Sequence, residues 1–200
     1  MLKIGLTGSI AVGKSFVCEC FCELGCHVLD ADKTSREVVA KGTEGLAEIV
    51  RHFGEDILLE NCELDRKKMG SIVFADTEKR ELLNSIIHPR VIESQNVWIA
   101  KQAAGYPDGI AIIDAALMIE SGGYRRFDKL IVVWCRPDIQ LKRLMLRDSL
   151  SESDALARIA AQMPQDEKKK FADHLIDTSD GFDTTRRSVE ELYKTLKNSA

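Results

Sequence analysis

The sequence predicts an α/β protein: a five-stranded parallel sheet with helices on both faces, extended by a helical insertion. Three observations carry this reading. Apolar runs at residues 2–7, 26–29, 110–114, 130–135 and 174–177 alternate with stretches of helical periodicity. The first run leads straight into Gly8-Ser9-Ile10-Ala11-Val12-Gly13-Lys14-Ser15, which fills every fixed position of G-x-x-x-x-G-K-[ST]. Between Asp65 and Gly105 helical periodicity continues without a strand, which is too long for a simple crossover.

Leu2 to Thr7 reads as a buried strand. In the loop that follows, glycines let the backbone turn its N–H groups inward around phosphates, and the next helix adds a field that favours anions. Lys14 would reach the outer phosphates, and the Ser15 hydroxyl would ligate Mg²⁺. Phe16, Val17, Cys20, Phe21 and Leu24 then recur at helical spacing until Gly25.

The second strand, Cys26 to Leu29, runs into Asp30-Ala31-Asp32 at the sheet edge where α/β proteins bind ligands. If the chain stays extended, both carboxylates share a side. One could take the proton of an attacking hydroxyl and the other could hold Mg²⁺ or its waters. Alternatively, one of them caps the helix expected near Thr34. Helix is expected over 34–53 with an interruption at Lys41-Gly42-Thr43, and residues 55–65 read as a polar loop.

In the insertion, Leu82, Leu83, Ile86 and Ile87 form one stripe, and Val91, Ile92, Trp98 and Ile99 form another. His88-Pro89 is expected to break the helix between them. His88 is then either a ligand contact or a turn residue. The strand Ile110 to Asp114 ends in an acid, the loose form of a second motif in phosphate-loop proteins, where Asp supports Mg²⁺. Leu130 to Cys135 is apolar throughout, as a central parallel strand should be. Arg143 and Arg147, at i and i+4 on the next helix, fit a lid that closes over transferred phosphate or, more plainly, a solvated helix face. His174 to Asp177 makes a fifth strand, and Val189, Leu192, Tyr193 and Leu196 stripe the closing helix.

Composition excludes several classes. The net charge of −4 provides no basic surface for nucleic acid, and no stretch approaches a membrane span. The N-terminal residues hold a strand and glycine loop where a signal peptide would have an apolar core, so the expected location is cytoplasmic. Cys18, Cys22 and Cys26 share a helical face beside His27, but without a C-x-x-C pair they read as packing residues rather than a metal site. GTPase signatures are missing: there is no N-K-x-D. What remains is a small-molecule kinase, for which a nucleoside monophosphate or shikimate are candidate acceptors, or a non-catalytic nucleotide-binding switch.

The chain resembles the dephospho-CoA kinase family over nearly its whole length. Gly5-Leu6-Thr7-Gly8, Leu29-Asp30-Ala31-Asp32, Phe53-Gly54, Leu64-Asp65-Arg66, Val73-Phe74, Leu83-Asn84 and His88-Pro89 carry the match. It continues through Asp114, Leu117 and Glu120, Gln140-x-x-Arg143-x-x-x-Arg147, Ala161-Gln162, Lys168, Ala172-Asp173 and Ile176-Asp177. The resemblance implies a P-loop, nucleotide-kinase-like fold and transfer of the ATP γ-phosphoryl group to the ribose 3′-hydroxyl of dephospho-CoA, the last step of coenzyme A biosynthesis.

It implies a core of residues 1–60, 106–138 and 172–200, a CoA-binding insertion at 61–105 and a lid at 139–171. ATP and Mg²⁺ would be held by Gly8, Ala11, Val12, Gly13, Lys14, Ser15 and Phe16, with Ser15 and Asp30 toward the metal. Asp32 would be the base, with Lys14, Arg143 and Arg147 as its catalytic companions. Thr7, Arg66 and His88 would face the acceptor, as would Asp114, Leu117 and Glu120. The implied partners are ATP and dephospho-CoA, with no nucleic acid and no membrane, in a monomer or small homo-oligomer. This chain departs from the usual family loop: Ser9, Ala11, Val12 and Phe16 stand where the family has Gly, Gly, Ser and Thr. Ala11 and Val12 are expected to need only ordinary φ angles. Ala116, behind Ala115, stands where the family usually has proline.

Overall fold

A computed structural model describes residues 1–198. Five strands form one all-parallel sheet: β1 (Leu2–Gly8), β2 (His27–Asp30), β3 (Ile110–Asp114), β4 (Lys129–Trp134) and β5 (His174–Asp177). Their order is β2-β3-β1-β4-β5, so the strand that delivers the glycine loop is central. Leu2 pairs with Ile110 and Ile4 with Lys129 on its two sides. The helices are α1 (Lys14–Glu23), α2 (Ala31–Glu37), α3 (Glu44–Phe53), α4 (Arg66–Ala75), α5 (Thr77–Gly105), α6 (Pro137–Asp148), α7 (Glu152–Ala160), α8 (Gln165–Lys169) and α9 (Phe182–Lys197).

Strand alternation explains the first core. Ile4 and Leu6 of β1 join Ile110, Ile112, Ile131, Val133 and Ile176 against Val17 and Phe21 of α1 and Val189 and Leu196 of α9. Each fully buried aliphatic of this kind is worth about 2 kcal/mol relative to exposure. On the other face, Gly5 leaves no room for a side chain. A Cβ there would lie 2.5 Å from Met118 Sδ and 2.9 Å from the Phe127 ring. The connection after β3 therefore presses directly on the central strand.

The chain divides into two compact units, Met1–Leu29 with Lys101–Ala200, and Asp30–Ala100. The second begins at Asp30, well before residue 61, where the family resemblance placed the insertion. The reason is a separate core: Val39, Leu46 and Ile49 pack with Ile57, Leu64, Met69 and Ile86. The Thr43 hydroxyl accepts the Leu46 N–H to start α3, and the Asp65 carboxylate accepts the Lys68 N–H to start α4. The polar loop contains a 3-10 turn at Glu55–Ile57 and an antiparallel bridge from Leu58 to Leu64.

One expectation fails here. His88-Pro89 does not break the helix; α5 runs through Pro89 without interruption. Proline removes one donor and crowds the preceding turn. In that turn the Arg90 guanidinium donates to the Ile86 carbonyl at 2.8 Å, and Glu48 of α3 holds that guanidinium in place. Buried Ile86, with Leu82, Leu83 and Ile87 packed on the second core, keeps both halves of the stripe on one helix.

Candidate active site

The phosphate loop leaves β1 at Gly8, where a Cβ would lie 2.5 Å from the Val133 carbonyl. Two left-handed residues then shape it, Gly13 at φ +88° and Ala11 at φ +60°. The second corrects the expectation of an ordinary φ at position 11. An L-residue there costs about 1–2 kcal/mol, and a glycine would adopt the same turn freely.

Side chains from other elements tie down the strained turn. The Ile10 N–H donates to Gln162 Oε1 at 2.8 Å, and Gln140 Nε2 donates to the Ile10 carbonyl at 2.8 Å. Gln165 Nε2 bonds Gln140 Oε1 at 2.8 Å, while Gln165 exchanges hydrogen bonds with both backbone groups of Cys135. The Thr178 hydroxyl, just past β5, donates to the Val12 carbonyl at 2.6 Å. Ser9, buried next to this turn, has a hydroxyl without a hydrogen-bond partner among the described residues. Gln140 and Gln162 had no expected role beyond the resemblance, and Gln165 and Thr178 were not expected at the site at all. No periodicity marks such residues, because their partners are backbone groups more than twenty positions away.

Lys14 opens α1, and its ammonium pairs with the Asp114 carboxylate at the end of β3. Cys18, one helical turn on, hydrogen-bonds the same carboxylate; burial first, and then the Asp114 charge, push its thiol far above the usual range. The thiol is thus neutral, and the Asp114 charge faces Lys14. Ser15 is exposed at the second position of α1. Phe16 meets the ring of Phe182 edge-on at 4.7 Å, and the Arg186 guanidinium lies over Phe16.

Two expected acceptor contacts, Thr7 and Glu120, are engaged within the protein, Thr7 by the segment after β3 and Glu120, in that segment, by Lys168 of α8. Thr7 Oγ1 donates to the Ala116 carbonyl at 3.1 Å, and Lys168 Nζ donates to the same oxygen at 2.8 Å. Lys168 is fully buried and also pairs with Glu120 at 2.9 Å. Leu117, between these anchors, is 54% exposed. Replacing Lys168 leaves the Ala116 carbonyl to Thr7 alone and takes the cation from the partly exposed Glu120 carboxylate, so Lys168→Met is expected to cost about 2 kcal/mol and lower Tm by about 4–8 °C. A calorimetric melt unchanged within about 2–3 °C would show that the ammonium is not the fastener.

The two arginines of α6 part company. Arg143 is half-buried, and its two terminal nitrogens bond Thr178, at the hydroxyl (2.8 Å) and the carbonyl (2.7 Å). This places it beside Gly13. Arg147 instead bonds Asp148 at 2.8 Å, and the Arg158 guanidinium joins the same carboxylate. These cations hold Asp148 below the usual carboxylate range.

The remaining expected residues lie in the second unit. Asp30 Oδ1 accepts the N–H groups of Asp32 and Lys33, capping α2, so the chain is helical rather than extended from Ala31 onward. The capping alternative therefore describes Asp30. Asp32 stands exposed in the first turn. Arg66 opens α4 and donates to the Arg36 carbonyl at 3.3 Å, and His88 is exposed on α5. A groove of about 540 Å³ runs between the start of α3 and the middle of α5, past Thr43, Glu44, Pro89, Arg90 and Glu93.

Comparison with known proteins covers nearly the whole chain. A family model described as dephospho-CoA kinase (CoaE) matches residues 2–183. The dephospho-CoA kinase of Listeria innocua is 46% identical over 198 residues, 98% of each chain. Among solved structures, TT1252 from Thermus thermophilus superposes with a TM-score of 0.83 at 26% identity, covering 98% of this chain and 97% of that one. Dephospho-CoA kinase from Campylobacter jejuni gives 0.72 at 28% identity, covering 98% of both chains.

Proposed function

The chain belongs to the dephospho-CoA kinase family, and from that premise we propose how its own residues carry out the reaction. Members of this family are ATP-dependent phosphotransferases acting in the final step of coenzyme A biosynthesis. The observation that carries the reading is the Lys14–Asp114 pair set inside an intact phosphate loop. An ammonium parked on a strand-end carboxylate needs only a side-chain rotation to meet an incoming polyphosphate, which offers it more negative charge than one carboxylate.

In the proposed mechanism, amides of the loop and the start of α1 cradle the ATP phosphates, and Lys14 leaves Asp114 for the outer ones. The exposed Ser15 hydroxyl is a hard oxygen donor at the helix start. It suits Mg²⁺, which takes few protein ligands besides phosphate oxygens and water. Bound there, the ion would neutralise charge on the transferring group. Asp32 accepts the proton of the ribose 3′-hydroxyl as that oxygen attacks the γ-phosphorus, and the bond to the ADP oxygen breaks. Asp30, committed to its cap, is assigned to fixing the turn that presents Asp32 rather than to the metal. Arg143, beside Gly13, stabilises the transferring phosphoryl, while Arg66 and His88 serve acceptor recognition. Arg147 reaches the nucleotide only by giving up Asp148. The chain is proposed to act on small molecules alone, as a monomer or small homo-oligomer.

The test is ADP release with Mg·ATP, with and without dephospho-CoA, with AMP and shikimate as control acceptors. Stimulation by dephospho-CoA, with CoA as product, is expected. Stimulation by a control acceptor instead would keep the loop chemistry and overturn the substrate.

A further inference from the structure

We propose that Gln162, Gln140 and Thr178 are positioning residues that hold the phosphate loop in its binding shape against the strain at Ala11. The inference rests on the reading that this loop holds the ATP phosphates. The hydrogen bonds fall on particular peptide planes. Gln162 takes the N–H of the 9/10 plane, Gln140 gives to the carbonyl of the 10/11 plane, and Thr178 gives to the carbonyl of the 12/13 plane. Between them the 11/12 plane carries no such bond, whereas φ of Ala11, the +60° angle, is the rotation that orients the 10/11 plane held by Gln140. Relaxing the left-handed alanine to negative φ means turning that plane, which breaks the Gln140 bond unless the turn around it, pinned by Gln162 and Thr178, also gives way.

The strain and the pins are comparable in size. A non-glycine residue disfavours the left-handed region by about tenfold. A neutral hydrogen bond to a backbone group shifts an equilibrium by about the same factor. Remove a pin, and the alanine loop should spend much of its time in shapes that aim its N–H groups away from phosphate. Remove the strain as well, and the pins become largely dispensable. An ordinary structural hydrogen bond would show no such dependence on residue 11.

The experiment is a double-substitution cycle on the full chain, reading Kd for Mg·ATP by titration calorimetry. Gln162→Ala is expected to weaken ATP about tenfold, whereas Ala11→Gly alone should tighten it by less than about threefold. The double variant should recover most of the loss, a coupling of about tenfold between the two positions. A double variant as weak as Gln162→Ala, or a Gln162→Ala protein that binds like the parent, would overturn the proposal. Should Gln162→Ala melt early, Thr178→Val removes one hydroxyl and runs in the same cycle against Ala11→Gly. There too, recovery in the double variant supports the proposal, and its absence overturns it. A parent chain that binds Mg·ATP yet makes no CoA from dephospho-CoA would sink the functional reading while leaving this cycle fully readable.

Discussion

Lys14→Ala is expected to lower kcat/KM at least about a thousandfold in a coupled ADP-release assay. Its ammonium is the strongest charge the loop can bring to a phosphoryl group whose negative charge is being redistributed. The variant has a second effect: it leaves Asp114, nearly buried and bonded to the protonated Cys18, without the Lys14 cation. Part of any loss would then come from a destabilised strand end. A melting curve run beside the kinetics separates the two, and so does Lys14→Ala/Asp114→Asn, which removes the orphaned charge but cannot restore catalysis. A single variant that keeps within about tenfold of parental turnover would remove Lys14 from the mechanism.

Asp32→Asn is expected to cut kcat by about 10²–10⁴-fold while the Kd for Mg·ATP moves by less than about threefold. The structure makes this a clean substitution. Asp32 is exposed, and the cap of α2 uses its backbone N–H rather than its carboxylate. Losing one negative charge in the first turn costs the helix only about 0.3–1 kcal/mol. Equal losses of turnover and ATP affinity would sink the role of base, since an acceptor of the hydroxyl proton has no part in holding the nucleotide.

The sheet was legible because its inner strands are buried on both faces and so read as continuous apolar runs, as at Ile110 to Asp114 and Leu130 to Val133. Lys14 and Ser15 were legible because their motif is local. The turn at Ala11 was not, since the side chains that make it bearable come from Gln140, Gln162 and Thr178, far along the chain. Pro89 misled for a related reason. Its local rule is helix-breaking, and the turn is held by the packing of Ile86 and by Arg90, itself held by Glu48 on another helix. The shared face of Arg143 and Arg147 was a property of helical spacing alone; Thr178 and Asp148 decided where each guanidinium went.

The position of β1 in the middle of the sheet also bears on how the chain is born. It is the first strand to be synthesised, but its neighbours are β3 and β4, beginning at Ile110 and Lys129. At ribosomal speeds, Leu2 waits on the order of ten seconds for Ile110 to emerge. By the end of that interval the whole Asp30–Ala100 unit, which has its own core, has been synthesised ahead of β3. Synthesis thus favours a helical unit formed first and a sheet zipped afterwards around an early, apolar strand that stays exposed to chaperones and to aggregation until its partners arrive.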